Sequence, residues 1–386
     1  MLLAALLGTG AALPAPAGDG EAPPAIRFQE VGEAAGARHV HAPRSFGDRH
    51  KAEVLEMFTD GGAAVAVGDF DGDGHDDLFL TDSDEGRPNH LLRNLYGETR
   101  ELRFADVATE AGVAGGNTAE AIVADALWLD FDDDGHLDLL VARFGTPLLY
   151  RNLGPSGEGG EVRFREVSEA AGLTAFGNTI AVIAFDYDGD GWLDLLFGNY
   201  FRPVNLLDLD TRHVLPNDLD GADNGGGVTL WKNVPGGSEA TGGRAFVEVT
   251  EAEGLAGHTG WSLDLGHADL DNDGDQDVYV AGDYGTDRLF LNRTADTRPP
   301  GDGPDQGADD GPDQEPDDQP DGRPGRDGPA FVDVTEEALG GFDTKKGMNV
   351  DMGDYDRDGF LDVYVTNITD EYMRECNMLW HNLGPA

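Results

Sequence analysis

Apolar runs of four to six residues recur along the chain, each led in by an aspartate-rich stretch. "DLFL", "DLLVA", "DLLFG", "DVYVA" and "DVYVT" follow five such stretches, and "AVAVGDF" leads into the first. The runs are rich in β-branched and aromatic residues, bounded by Gly and Asp, and too short for helices, so they read as strands. Apolar residues occupy both faces of each run, as in strands sandwiched between neighbouring sheets.

Other pieces repeat in step. Upstream of the five stretches lie "FQEV" at 28, "FADV" at 104, "FREV" at 164, "FVEV" at 246 and "FVDV" at 331. Downstream lie leucine-rich segments ending at Asn94, Asn152, Asn233, Asn292 and Asn382. Four strands per unit, at spacings of 56 to 85 residues, predict an all-β β-propeller of four-stranded blades; a solenoid would suit a shorter unit. The last unit stops at Asn382 without a final "FxxV" strand, and the first, Phe28 to Val31, has no blade before it. Pairing these two would close a ring of five blades. Residues 202–227 form a long polar loop placed to reach over one face of the ring. Residues 295–329, dominated by Asp, Gly, Pro and Gln, hold no aliphatic side chain larger than Ala and predict a disordered insertion.

Composition narrows the partners. Of 386 residues, 75 are acidic and 26 basic, a formal charge of −49. Such a surface repels phosphate backbones and anionic membranes and suits divalent cations or neutral ligands, so nucleic acid is excluded as a partner. The single cysteine, Cys376, permits no internal disulfide. Residues 1–17 hold an apolar stretch ending in Ala15-Pro16-Ala17, the pattern of a cleaved signal peptide, which predicts a secreted, extracellular or periplasmic protein. No other segment is apolar enough for membrane insertion, and the chain is expected to be a monomer.

The aspartate stretches carry the chemistry. They read "DFDGDGHDD", "DFDDDGHLD", "DYDGDGWLD", "DLDNDGDQD" and "DYDRDGFLD". Aspartate stands at loop positions 1, 3, 5 and 9 and glycine at position 6. The first loop offers Asp69, Asp71, Asp73 and Asp77, and the second Asp130, Asp132, Asp134 and Asp138. Asp186, Asp188, Asp190 and Asp194 form the third, Asp269, Asp271, Asp273 and Asp277 the fourth, and Asp354, Asp356, Asp358 and Asp362 the fifth. Position 7 is His75, His136, Trp192, Asp275 or Phe360, a variety that points to its backbone carbonyl as the ligand. Oxygens at this density suit Ca²⁺, which takes about six to eight at roughly 2.3–2.6 Å, better than the octahedral Mg²⁺. An EF-hand would need Glu at position 12 and a following helix; here that position is Leu80, Val141, Phe197, Val280 or Val365, inside a strand.

With "FxDVTxxAG" and "LxRN" beside them, the "DxDxDGxxD" loops resemble FG-GAP/VCBS repeats, the blades of integrin-α-like propellers. "LEMFTDGGAAVAVGDFDGDGHDDLFL" followed by "FADVATEAGV" is similar, more narrowly, to the ASPIC/UnbV (cartilage acidic protein-like) group, over residues 26–386. The resemblance implies a secreted, calcium-stabilised propeller with binding or adhesion roles, often of seven blades. Five loops are visible here, and the carboxy-terminal domain of that group is absent, so an incomplete seven-bladed ring is the alternative to closure.

No Gly-x-Ser-x-Gly elbow, His-Glu-x-x-His or phosphate loop is present. The ten histidines are scattered, and His258 with His267 makes a poor zinc pair. Asn199, Asp283 and Asn367, with Tyr200 and Tyr284, could line one face of the ring. Asn292 and Asn367 match the glycosylation pattern by chance. The leading expectation is a non-enzymatic propeller that recognises a protein or glycan. A polysaccharide lyase on a calcium-loop propeller and a purely structural module of a larger surface protein are the alternatives.

Overall fold

The computed structural model describes residues 28–47, 49–51, 55, 59, 63–156, 161–207, 215–218, 221–295, 328–340, 346–367 and 377–384. The expected signal peptide, nearly all of the 295–329 insertion and Cys376 lie outside them. The described residues form an all-β, propeller-like array of blades, each an antiparallel meander. Blade 1 is β1 (Val65–Gly68), β2 (Asp77–Leu80), β3 (His90–Asn94) and β4 (Phe104–Asp106). Blade 2 is β5 (Ile122–Leu129), β6 (Asp138–Gly145), β7 (Leu148–Ser156) and β8 (Glu161–Glu166), and blade 3 is β9 (Gly177–Phe185), β10 (Asp194–Phe201), β11 (Gly225–Pro235) and β12 (Arg244–Glu248). Blade 4 follows as β13 (Ser262–Ala268), β14 (Asp277–Gly282), β15 (Arg288–Asn292) and β16 (Phe331–Asp333). Blade 5 has three described strands, β17 (Gly347–Gly353), β18 (Asp362–Asn367) and β19 (Met378–Trp380). The aspartate loop is therefore the first hairpin connection of every blade. The asparagine closes the third strand in blades 1 and 4, while "FxxV" opens the fourth strand there.

Apolar residues on both faces of the strands bury themselves between blades. Phe79 and Leu91 of blade 1 meet Val123, Leu139 and Phe164 of blade 2. Phe131 and Leu149 of blade 2 meet Val182, Phe197 and Trp231 of blade 3, and Phe185 and Leu196 meet Leu265, Val278 and Phe290 of blade 4. Tyr279 and Leu289 then meet Val350 and Val363 of blade 5. At about 1.5–3 kcal/mol for each large side chain fully buried, these layers outweigh any single polar link between blades.

Among the described residues, closure of the five blades is not observed. Phe28 is 96% exposed and lies in no strand, and the last blade's described strands run in the order β17-β18-β19. The segment instead makes a helical turn, Gly32–Ala35, that lies against blade 1: a Cβ on Gly36 would sit 3.0 Å from the Phe104 carbonyl oxygen. Blade 1 treats blade 2 the same way, Gly112 approaching the Phe164 carbonyl oxygen after the turn Ala108–Ala111. The amino-terminal "FxxV" thus stands in the place before blade 1, while among the described residues blade 1 does not pack its outer face on blade 5. Val65 and Val67 of β1 are 56% and 57% exposed, and Leu379 of β19 is 55% exposed. The blades form an open arc.

The long polar loop is partly apolar in its packing. Leu206 and Ala222 join Leu55, Ile122, Phe144, Tyr200, Phe201 and Trp261 in a buried cluster. Its return depends on glycine: Gly227 has φ +63°, and a Cβ there would meet the His258 carbonyl oxygen at 1.9 Å. Asn199, Tyr200, Asp283 and Asn367 are buried and do not line an open face. Asn199 accepts a hydrogen bond from Thr179 (2.9 Å), and Tyr200 donates to Asp283.

Candidate metal centres

Each aspartate loop is built by its own carboxylates. The position-1 aspartate accepts the N–H groups of positions 5 and 6, for example Asp190 and Gly191 onto Asp186 at 3.0 and 2.8 Å. Position 5 accepts the N–H of position 7, as Asp190 does from Trp192 at 3.0 Å. The glycine at position 6 has φ between +83° and +102° in all five loops, a region closed to most side chains. Position 4 is also left-handed throughout: Gly72, Asp133, Gly189, Asn272 and Arg357. Gly, Asp or Asn in four of the five loops was the available sequence signal, since these residues tolerate that conformation best; Arg357 departs from it.

Position 9 is the clasp. Asp77, Asp138, Asp194, Asp277 and Asp362 are all at most 2% exposed. One oxygen accepts the position-2 N–H at 2.8–3.3 Å, and the other accepts the N–H of the repeat asparagine at 2.7–2.8 Å. That asparagine then reaches two ways. Its Nδ2 donates to the position-8 carbonyl of its own loop and, from blade 2 onward, to the position-2 carbonyl of the preceding loop. The second bond joins Asn152 to Phe70 (2.9 Å), Asn233 to Phe131 (2.8 Å), Asn292 to Tyr187 (2.6 Å) and Asn382 to Leu270 (2.7 Å). Consecutive loops are thereby tied together through one side chain.

The carboxylates of positions 1, 3 and 9 converge. One oxygen from each of Asp69, Asp71 and Asp77 lies within 4.8 Å of the others, and the same holds for Asp130, Asp132 and Asp138 and for Asp186, Asp188 and Asp194. In the fifth loop Asp356 and Asp362 converge with His381. Positions 3 and 5 both meet a tethered cation that the sequence reading missed, the residue just before the repeat asparagine. Arg93 meets Asp71 (2.5 Å) and Asp73 (3.9 Å), Arg151 meets Asp132 (2.6 Å) and Asp134 (2.9 Å), and Lys232 meets Asp188 (2.5 Å) and Asp190 (3.5 Å). One basic group against four or five aspartates leaves each of these loops strongly negative. The fourth loop has Leu291 at that place and an aspartate at position 7, Asp275, whose Oδ1 is buried without a hydrogen-bond partner.

Burial acts on the clasp. It pushes the Asp77 carboxyl up to about 7, and those of Asp138, Asp194 and Asp277 to about 8. Asp271 and Asp273 are raised as well, chiefly by burial and then by neighbouring aspartates. Asp362 runs the other way, held low by the Asn382 N–H and by His381. Buried carboxylates that resist ionising, an orphaned oxygen and hard oxygen donors at fixed spacing all fit a divalent cation.

Position-7 side chains pack away from the loop. A Cβ on Gly154 would sit 2.7 Å from the His136 ring, and one on Gly384 would sit 2.8 Å from the Phe360 ring. Arg244 lies over Trp192 at 3.7 Å. Asp275 instead accepts the Ala295 N–H (2.7 Å) and the Thr294 hydroxyl (3.0 Å). His258 and His267 share no site: the first packs on Phe290 and the second stacks on Phe185.

Residues 130–197 match the FG-GAP-like repeat family, a span that contains the second and third loops whole. A stretch of 145 residues, 38% of this chain, is 32% identical to cartilage acidic protein 1 of Xenopus tropicalis. That match covers 20% of the relative's own length. Both comparisons fall on the group that the repeats resemble.

Proposed function

We propose that this FG-GAP-like chain is an extracellular, calcium-loaded propeller module that binds a protein or glycan and catalyses no reaction. The observation that carries the reading is the buried clasp aspartate in all five blades, with aspartates converging on it in the first three and Asp356 in the fifth. Calcium would be held by positions 1, 3, 5 and 9 and by the position-7 carbonyl, and it would supply charge neutralisation rather than chemistry. The asparagine ties then pass the order of one loop to the next, giving a rigid scaffold for recognition. Among the described residues, no helix is long and apolar enough to cross a membrane. The similarity to cartilage acidic protein 1 supports an extracellular setting.

Calcium-loaded protein applied to a glycan array and to an extracellular-matrix protein panel tests the binding reading. Saturable binding abolished by EDTA is expected. Cleavage of any member of a polysaccharide panel would overturn the non-enzymatic reading in favour of a lyase.

A further inference from the structure

The far end of blade 1 carries a second kind of cluster. Asp82 lies just beyond β2, five residues after the clasp Asp77, so the strand separates the two by about 16 Å. His90 opens β3, and His39 comes from the amino-terminal segment that crosses the blade. His39 Nε2 and His90 Nε2 each stand 3.7 Å from Asp82 Oδ2. The two imidazole rings lie 4.7 Å apart and tilted.

Three features turn this contact into a built site. First, His39 Nε2 is buried and has no hydrogen-bond partner. A buried ring nitrogen without one is a cost that a ligand would relieve. Second, His90 Nδ1 pairs with Asp106 Oδ2 at 2.6 Å. A carboxylate there fixes the tautomer with the proton on Nδ1 and leaves Nε2 as a lone-pair donor, the arrangement that orients metal-ligating histidines. Third, Asp82 is only 3% exposed and held in place. Its Oδ1 accepts the Ala42 N–H, its own N–H donates to Asn89 (3.1 Å) and its carbonyl accepts from Asn117 (2.8 Å). Oδ2 is left facing the two imidazoles. His41 plays no part as a donor, since both its ring nitrogens face backbone carbonyls, those of Thr81 and Thr59. Burial also lowers the pKa of His39, which favours the neutral ring that a metal requires.

We propose that His39, Asp82 and His90 bind a divalent transition metal, with zinc the best fit. Two imidazoles and one carboxylate suit zinc far better than calcium. At metal–ligand distances near 2.0–2.1 Å, tetrahedral donors stand about 3.4 Å apart, so the two 3.7 Å histidine–aspartate separations need to close by only a few tenths of an ångström, and the three donor atoms already lie within 4.8 Å of one another. Three protein ligands leave a fourth position for water or a partner's side chain. The site is chemically and spatially separate from the aspartate loops and stands whether or not those bind calcium.

Zinc and cobalt titrations of the full chain in saturating calcium test it. The expected result is one tight site, with cobalt giving the intense visible bands of a tetrahedral centre. Asp106→Asn should weaken that site about 10–100-fold, the usual effect of losing an orienting partner. The paired substitution His39→Gln with His90→Gln should abolish it, and His381→Ala should leave it intact. Wild-type protein that binds no zinc in calcium overturns the proposal. So does a folded double variant that binds zinc as wild type does. Should the double variant fail to fold, unchanged zinc affinity in Asp106→Asn overturns it equally.

Discussion

Replacing Asn233 by Ala separates the tie between blades from the bonds within one. Asn233 is fully buried and makes three side-chain hydrogen bonds: to the carbonyls of Phe131 (2.8 Å) and Leu193 (3.2 Å), and from Arg244 (2.9 Å). At about 1 kcal/mol each, with a further penalty for the stranded Phe131 carbonyl, the loss comes to about 3–5 kcal/mol. Asn94 supplies the control. It is partly exposed and makes two such bonds, to the Asp76 carbonyl (3.0 Å) and from the Tyr96 N–H (3.0 Å), with no described partner in a preceding loop. Water can replace both, so Asn94→Ala should cost about 1–2 kcal/mol. The difference of about 2 kcal/mol is roughly a 30-fold change in the unfolding equilibrium. Urea unfolding of both variants in excess calcium, compared at matched m-values, reads it directly. Equal losses for the two variants would refute the idea that the asparagine links neighbouring blades.

Further outcomes follow from the same geometry. The clasp carboxyls, raised to about 7 or 8 by burial, sit above the unfolded value near 4, so the metal-free fold binds more protons than the unfolded chain. In EDTA, stability should therefore fall as the pH rises from about 4 to about 8 and then level off. Calcium binds the ionised form, so the same titration in saturating calcium should lose that decline, and calorimetry at pH 7 in two buffers of different ionisation enthalpy should register proton release. Identical pH profiles with and without calcium would contradict both statements. Lys232→Met removes the tethered cation from Asp188 and Asp190; it should lower the melting midpoint in EDTA and enlarge the calcium-induced shift, whereas an unchanged shift would show that the lysine does not share the neutralising role.

Much of this was legible in the chain. Five copies of one aspartate spacing announced strand–loop–strand units, because four fixed carboxylates and a glycine leave the backbone few other paths. The repeat asparagine was visible as a mark, but its partner was not: Asn233 bonds a carbonyl at residue 131, and no local pattern encodes a contact across that separation. Closure failed for a related reason. Periodicity fixes how strands pair within a blade, while the angle between blades, set by packing such as Phe131 on Trp231, decides whether a last blade meets the first. Asn199 and Asp283 read as residues lining a face of the ring because nothing in their neighbourhood shows that Leu206, from the long polar loop, packs with the adjacent Tyr200 and Tyr284. The cluster of His39, Asp82 and His90 was missed because its members come from three separate segments.

Calcium binding measured by equilibrium dialysis at pH 7.5, with the thermal midpoint recorded on the same samples, addresses the central claim. About one ion per aspartate loop is expected, with a midpoint that rises with calcium as each loop adds up to about 2.7 kcal/mol at one hundred times its Kd. A chain that binds no calcium at millimolar concentrations, and melts at the same temperature in calcium and in EDTA, would contradict it.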